Sequence, residues 1–381
     1  MRRAVLFAFG AALSAMVQTA VAAPPAAAPM ADPTIARPGW APPKNAMGQP
    51  DLSGYWTNAT LTPLTRNPRL TDKATLSAAE ARAMEKTWAE ALEESVKPTD
   101  PNATTESYQA KSSEAKLIAI NPVFAAAGGD VGGYNAFWLD PGTHILEVNG
   151  EFRTSIITTP NGQIPPRKGA GAGGGGRGGG YRDLYDSYEN RSLGERCITG
   201  FGRNSTAPML PNGFYNNDYY IMQTPDSVVI QVELIHDARI VRLGGRHRTD
   251  GVRPWMGDSV GHFEGNTLVV ETTNIPQTEA FMGSWKNLKV TERFTRVSPT
   301  RLNYQFTVED PDTWEKPWGG EYNFSPMQGI IYEYACHEGN YALPAILAGA
   351  RQQERQAAEA AAAKAAAVPA AAPPAKGKPG A

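Results

Sequence analysis

DSVVIQVELIHDARIVRLGGRHRTDG (residues 226–251), MGDSVGHFEGNTLVVETTNI (256–275) and LKVTERFTRVSPTRLNYQFTVEDPDTWEKPW (288–318) carry the reading that decides the fold. Apolar β-branched runs alternate with turn residues, the signature of a β-meander. Leu288–Val297 shows it most clearly. A strand there puts Leu288, Val290, Glu292, Phe294 and Arg296 on one face and Lys289, Thr291, Arg293, Thr295 and Val297 on the other. Ser227–Leu234 and Ala238–Leu243 read as paired strands around His236-Asp237, and Ile330–Tyr334 as a last strand before a terminal helix from about Leu343. Roughly eight to eleven strands stand against two convincing helices. That ratio predicts one mainly antiparallel β domain, a lipocalin-like barrel first and a curved two-sheet sandwich second, with peripheral helices and long loops.

Upstream, Ser77-Ala78-Ala79-Glu80 is a capping box opening a helix whose Met84, Trp88, Ala91 and Leu92 share one face. Asn149-Gly150 joins two strand-like runs as a hairpin turn. Gly54-Tyr55-Trp56 enters a first strand and is similar to the Gly-x-Trp of lipocalin-type barrels, where the Trp closes one end. The glycine tract after Pro166 lacks the Gly-Lys-Ser/Thr ending of a phosphate loop and reads as a surface loop. Asp183–Asn217 is aperiodic and dense in Tyr, Arg, Asn and Gly, groups able to line a ligand cleft.

The termini speak to compartment. Residues 1–23 have the basic start, apolar middle and small-residue cleavage site of a secretory signal peptide, so the protein is expected in the periplasm or secreted. Residues 24–48 form a Pro/Ala-rich linker, 49–354 the β domain, and 355–381 an Ala/Pro-rich tail. With 36 Lys and Arg against 38 Asp and Glu, well mixed, the chain offers no basic stripe for nucleic acid. No later segment is apolar enough to span a membrane. Its 2 cysteines, Cys197 and Cys336, leave two readings open, a disulfide or two buried thiols.

Several segments together, GDSVGHFEGNTLVVETTN, TVEDPDTWEKPW and CHEGNY among them, resemble a family of exported bacterial hypothetical proteins over about residues 50–351. The resemblance implies membership only and transfers no catalytic residue.

The chemistry is therefore read from residue types. None of the 5 histidines forms a helical metal pair, and no metal site is assigned. No Gly-x-Ser-x-Gly elbow surrounds Ser259. Acid–base chemistry fits better. Asp258, Glu264, Glu271, Glu309 and Asp310 lie among apolar strand residues near Trp255, Trp314 and Trp318. A carboxyl group walled by aromatics holds its proton toward neutral pH. The candidates for proton transfer are His236, Asp258, Glu264, Asp310 and His337, with Arg239 and Arg246 holding an anionic group and Trp255, Trp314 and Trp318 an apolar wall. The expected function is an exported lyase, isomerase or hydrolase acting on a small molecule without an organic cofactor. The alternative is a periplasmic carrier of a sugar or aromatic ligand.

Overall fold

Alternation decides which side of each strand enters the core, and the computed structural model shows where those sides meet. It describes residues 36, 38–70, 72–95, 102, 140–168, 185–200, 205–211 and 215–366. In chain order the strands are β1 (Gly54–Thr57), β2 (Thr75–Leu76), β3 (Glu147–Val148), β4 (Glu151–Arg153), β5 (Asp218–Gln223), β6 (Ser227–Val232), β7 (Ala238–Leu243), β8 (Asp258–Glu264), β9 (Thr267–Thr273), β10 (Lys289–Ser298), β11 (Arg301–Glu309) and β12 (Trp318–Pro326). The long helices are α1 (Ala78–Ser95) and α2 (Ala342–Ala366).

Nine strands close into a barrel in the order β1-β12-β11-β10-β9-β8-β7-β6-β5, and β2-β4-β3 form a small sheet beside it. The expected mainly antiparallel barrel is therefore present. One departure follows from parity: strand direction reverses at every antiparallel contact, so a closed ring of nine cannot be antiparallel throughout. The exception is β7–β8, which pair in parallel through Val241↔Ser259 and Leu243↔Gly261. A parallel pair needs a connection of about a dozen residues or more to carry the chain back. Here that crossover runs from Gly244 to Gly257.

Inward positions pack the barrel. Val290, Glu292 and Phe294 of β10 are buried while Lys289, Thr291 and Arg293 are not, the two faces that alternation predicts. Trp56 lies at one end, 3 % exposed, its indole N–H donating to the Leu52 carbonyl and its ring covered by the Arg296 guanidinium at 5.4 Å. At the other end of β12, Trp318 packs edge-on to Trp314, ring centroids 5.4 Å apart, and against Phe281.

Local signals are realised. In the capping box Ser77 N–H donates to Glu80 at 2.8 Å, and Glu80 N–H to the Ser77 hydroxyl at 3.3 Å. Asn149 and Gly150 turn the β3–β4 hairpin with φ of 53° and 79°. Cys197 and Cys336 form a disulfide, Cα atoms 5.7 Å apart. Ile330–Tyr334 is not a strand. The last strand is β12, whose Gly319-Gly320 weakens the apolar alternation that would announce it. Helix α2 docks by its first turns only; beyond Ala350 every residue through Ala366 is exposed, about 24 Å of solvated helix. Among the described residues no helix is long and apolar enough to cross a membrane. The signal segment and most of the glycine tract lie outside the described residues.

Candidate active site

The crossover from β7 to β8 builds the site. Because the chain must return along the outside of the barrel, it lays His247 over the outward face of β8 and β9. Asp258 is the first residue of β8 and points outward, yet the crossover covers it to 2 % exposure. Its carboxylate accepts from Arg242 at 2.8 Å, from the Arg248 backbone N–H at 2.8 Å and faces His247 Nδ1 at 3.0 Å. Burial alone would raise the Asp258 carboxyl, but these hydrogen bonds outweigh it and hold it below the ordinary aspartate range.

The other ring nitrogen, His247 Nε2, lies 3.1 Å from Glu271 of β9. An imidazole between two carboxylates needs a proton on each contact. Both ring nitrogens lie at hydrogen-bond distance from a carboxylate, with Asp258 fixing the ring from behind and Glu271 at its outer edge. Glu271 and His247 side chains are 41 % and 23 % exposed, so this contact reaches solvent. Lys289 is hydrogen-bonded to Glu309 at 2.7 Å, which raises its pKa, with Glu271 at 3.8 Å adding to the effect. Arg246 and Trp255 are exposed on the same crossover.

Of the residues singled out in the sequence, Asp258, Arg246 and Trp255 thus share one neighbourhood. The others are dispersed. Arg239 points into the barrel, where it forms a two-pronged ion pair with Glu292 at 2.6 and 2.9 Å. Tyr304 donates to the same carboxylate at 2.8 Å and accepts from Met209 N–H, and Tyr322 donates to the Met209 carbonyl. Burial drives the Tyr304 hydroxyl's pKa well up. Asp310 ends β11 as a turn anchor, accepting from the Ser284 hydroxyl, from Thr313 at 2.8 Å and from Asp312 N–H at 2.9 Å. Burial opposes its charge, but the Ser284 and Thr313 hydroxyls prevail and its pKa falls. Trp314 and Trp318 are core residues, 2 % and 4 % exposed. Glu264 sits on the surface, its pKa lowered by Arg293 at 2.9 Å and by His262. His337 is exposed beside the disulfide.

The raised carboxyl pKa expected near the tryptophans occurs elsewhere. Burial and the neighbouring Asp140 push Asp218 up to about 6. Burial likewise lifts Asp237 to about 6, against the Gly200 N–H it accepts and the charge of His236. His236 is exposed at the β6–β7 turn, where it and Ile235 both take left-handed backbone, φ 46° and 56°.

His247 and Glu271 are the members that sequence reasoning did not select as proton-transfer groups. The usable signal was the length of the segment between two strands that later pair in parallel. Among the described residues no three or more His, Cys, Asp or Glu side chains form a set able to hold a metal ion. No protein-family model matches the chain, and neither the curated proteins nor the solved structures give a match.

Proposed function

We propose that the protein is an exported enzyme that moves protons at His247, acting on a small organic molecule. The reading is carried by one arrangement. A histidine is anchored through Nδ1 by a buried, ionised Asp258, while its Nε2 shares a proton line with the solvent-reaching Glu271. That is the division of labour a general base requires: one carboxylate fixes tautomer and orientation, and the free nitrogen takes the proton. With substrate present Glu271 turns aside, and Nε2 removes a proton from carbon or from an attacking water. Imidazolium then stands against Asp258 and returns the proton to the leaving group or product. Arg246, exposed on the same crossover, would meet negative charge that develops on the substrate. Ser259 supplies no nucleophile here, because its hydroxyl is buried against Thr272 at 2.8 Å. Isomerisation, elimination and water-mediated hydrolysis all follow from this proton inventory.

Carrier function has less support. Inside the barrel, where a carrier would hold its ligand, stand the packed tyrosines and the Arg239–Glu292 pair.

The test is incubation of the full chain with small-molecule extracts, followed by mass spectrometry in ordinary and heavy water. At least one compound should be converted or exchange a C–H proton. His247→Gln should slow that turnover by about 10²–10⁴-fold with circular dichroism unchanged. Turnover that survives both His247→Gln and Asp258→Asn would end the proposal.

A further inference from the structure

The outward face of β10–β12 carries a cleft that begins beside this cluster. Its floor is two rows of paired residues, Thr291↔Thr307↔Gly319 and Arg293↔Gln305↔Glu321. The rim is Thr158 and Pro160, held where Thr158 N–H donates to the Gly319 carbonyl at 3.0 Å and Glu321 N–H to the Ile156 carbonyl at 3.0 Å. The space measures about 590 Å³, within the usual range for small-molecule clefts. Gly319 is required by the close approach of β11, since a Cβ there would lie 2.0 Å from the Phe306 carbonyl oxygen. Across β9–β10, Thr291 is paired directly with Glu271, so one end of the cleft abuts the proton-transfer cluster.

We infer that this cleft binds a polyhydroxylated chain, an oligosaccharide, and presents its reacting end to His247; the inference rests on the acid–base reading above. The lining chemistry selects the class. Thr291 and Thr307 offer hydroxyls that both donate and accept, and Gln305 an amide. The charged members are already matched: Arg293 donates to Glu264 at 2.9 Å, and Glu321 accepts from Gln305 at 2.9 Å and Asn303 at 3.1 Å. A phosphate or nucleic-acid ligand would need cations that are not so engaged. An apolar ligand would leave the Thr291 and Thr307 hydroxyls unpaired, at a penalty per group. Sugar hydroxyls, each donor and acceptor, satisfy these groups, sugar rings can lie against Pro317 and Trp318 in the same lining, and a cleft open to solvent suits a chain.

The full chain is titrated with cellohexaose, xylohexaose and chitohexaose by calorimetry, with a Gly/Ser hexapeptide as comparison. At least one hexasaccharide should bind saturably. Thr307→Trp, which fills the cleft from an exposed strand position, should weaken it about tenfold or more. Val229→Trp, on the outward face of β6, should not. Binding of none of the sugars, equal binding by Thr307→Trp, or preference for the hexapeptide overturns the cleft assignment. Sugar binding that His247→Gln leaves intact, with turnover also intact in that variant, upholds the cleft and overturns the acid–base reading instead.

Discussion

The barrel holds two ionic clusters built from the same ingredients, one inside and one outside. Inside, Arg239 and Glu292 are 1 % and 0 % exposed and hold each other in a two-pronged pair, with Tyr304 completing the carboxylate. Outside, Asp258 is as deeply covered, but its partner His247, and Glu271 on the far side of that ring, reach solvent. The inner pair must stay charged and paired, since low dielectric penalises either ion alone. The outer cluster keeps two of its members in contact with water. Equal burial of one member thus goes with opposite access for the rest, closed inside the barrel and open to solvent outside.

The comparison breaks most sharply at the inner pair. Glu292→Gln alone should destabilise by about 3–5 kcal/mol in urea unfolding, because it strands the Arg239 charge. Arg239→Met combined with Glu292→Leu should recover most of that loss; a double variant as unstable as the single one would show that the charges themselves hold the barrel together.

Asp258→Asn comes next, at about 1–3 kcal/mol, since Arg242 and the Arg248 N–H lose a charged acceptor. Its folded pKa is depressed, so its contribution is present above the unfolded value and fades as pH falls through the folded one. The gap between wild type and Asp258→Asn should therefore narrow in acid. A gap independent of pH would contradict this.

Asp218 has the reverse sign. Its carboxyl is raised to about 6, so the folded state binds the extra proton, and stability drops as pH climbs from the unfolded value through about 6. Asp218→Asn should stabilise at pH 7 by on the order of 1 kcal/mol, discounted for its partial exposure, and by nothing at strongly acid pH. Thermal melts at the two pH values decide it. Smallest of all, Glu264→Gln should leave the melting midpoint unmoved, because its Arg293 pair is solvated. A clear shift would mean that the outer face is stiffer than its exposure implies.

What was legible in the sequence divides by range. The Ser77–Glu80 box, the Asn149-Gly150 turn and the two faces of β10 depend on neighbours a few residues away, and all were readable. So was Asp258 as a carboxylate of interest. Its histidine was not, because His236 and His337 stood out by local adjacency, whereas His247 is delivered by a crossover whose necessity appears only when the ring closes. Arg239 looked like an anion-binding group for the same reason: its burial depends on register with Glu292, on a strand that is not its neighbour in sequence. The packing of Trp314 and Trp318 on Phe281 and on each other is likewise a tertiary contact that no local pattern announces.

The seam of the barrel sets an order of events. Trp56 and Thr57 pair with Pro326 and Ser325, nearly the whole length of the chain away, while the other side of β1 pairs with β5. Strand-by-strand hairpins from β8 to β12 can form as they emerge, but closure must await the C-terminal strand. A contact of such separation makes ring closure the late step of folding. Until then β1 and the last strand formed present open edges able to pair with other chains, so crowding while the chain folds bears on yield, as does the strength of the interactions in the finished barrel.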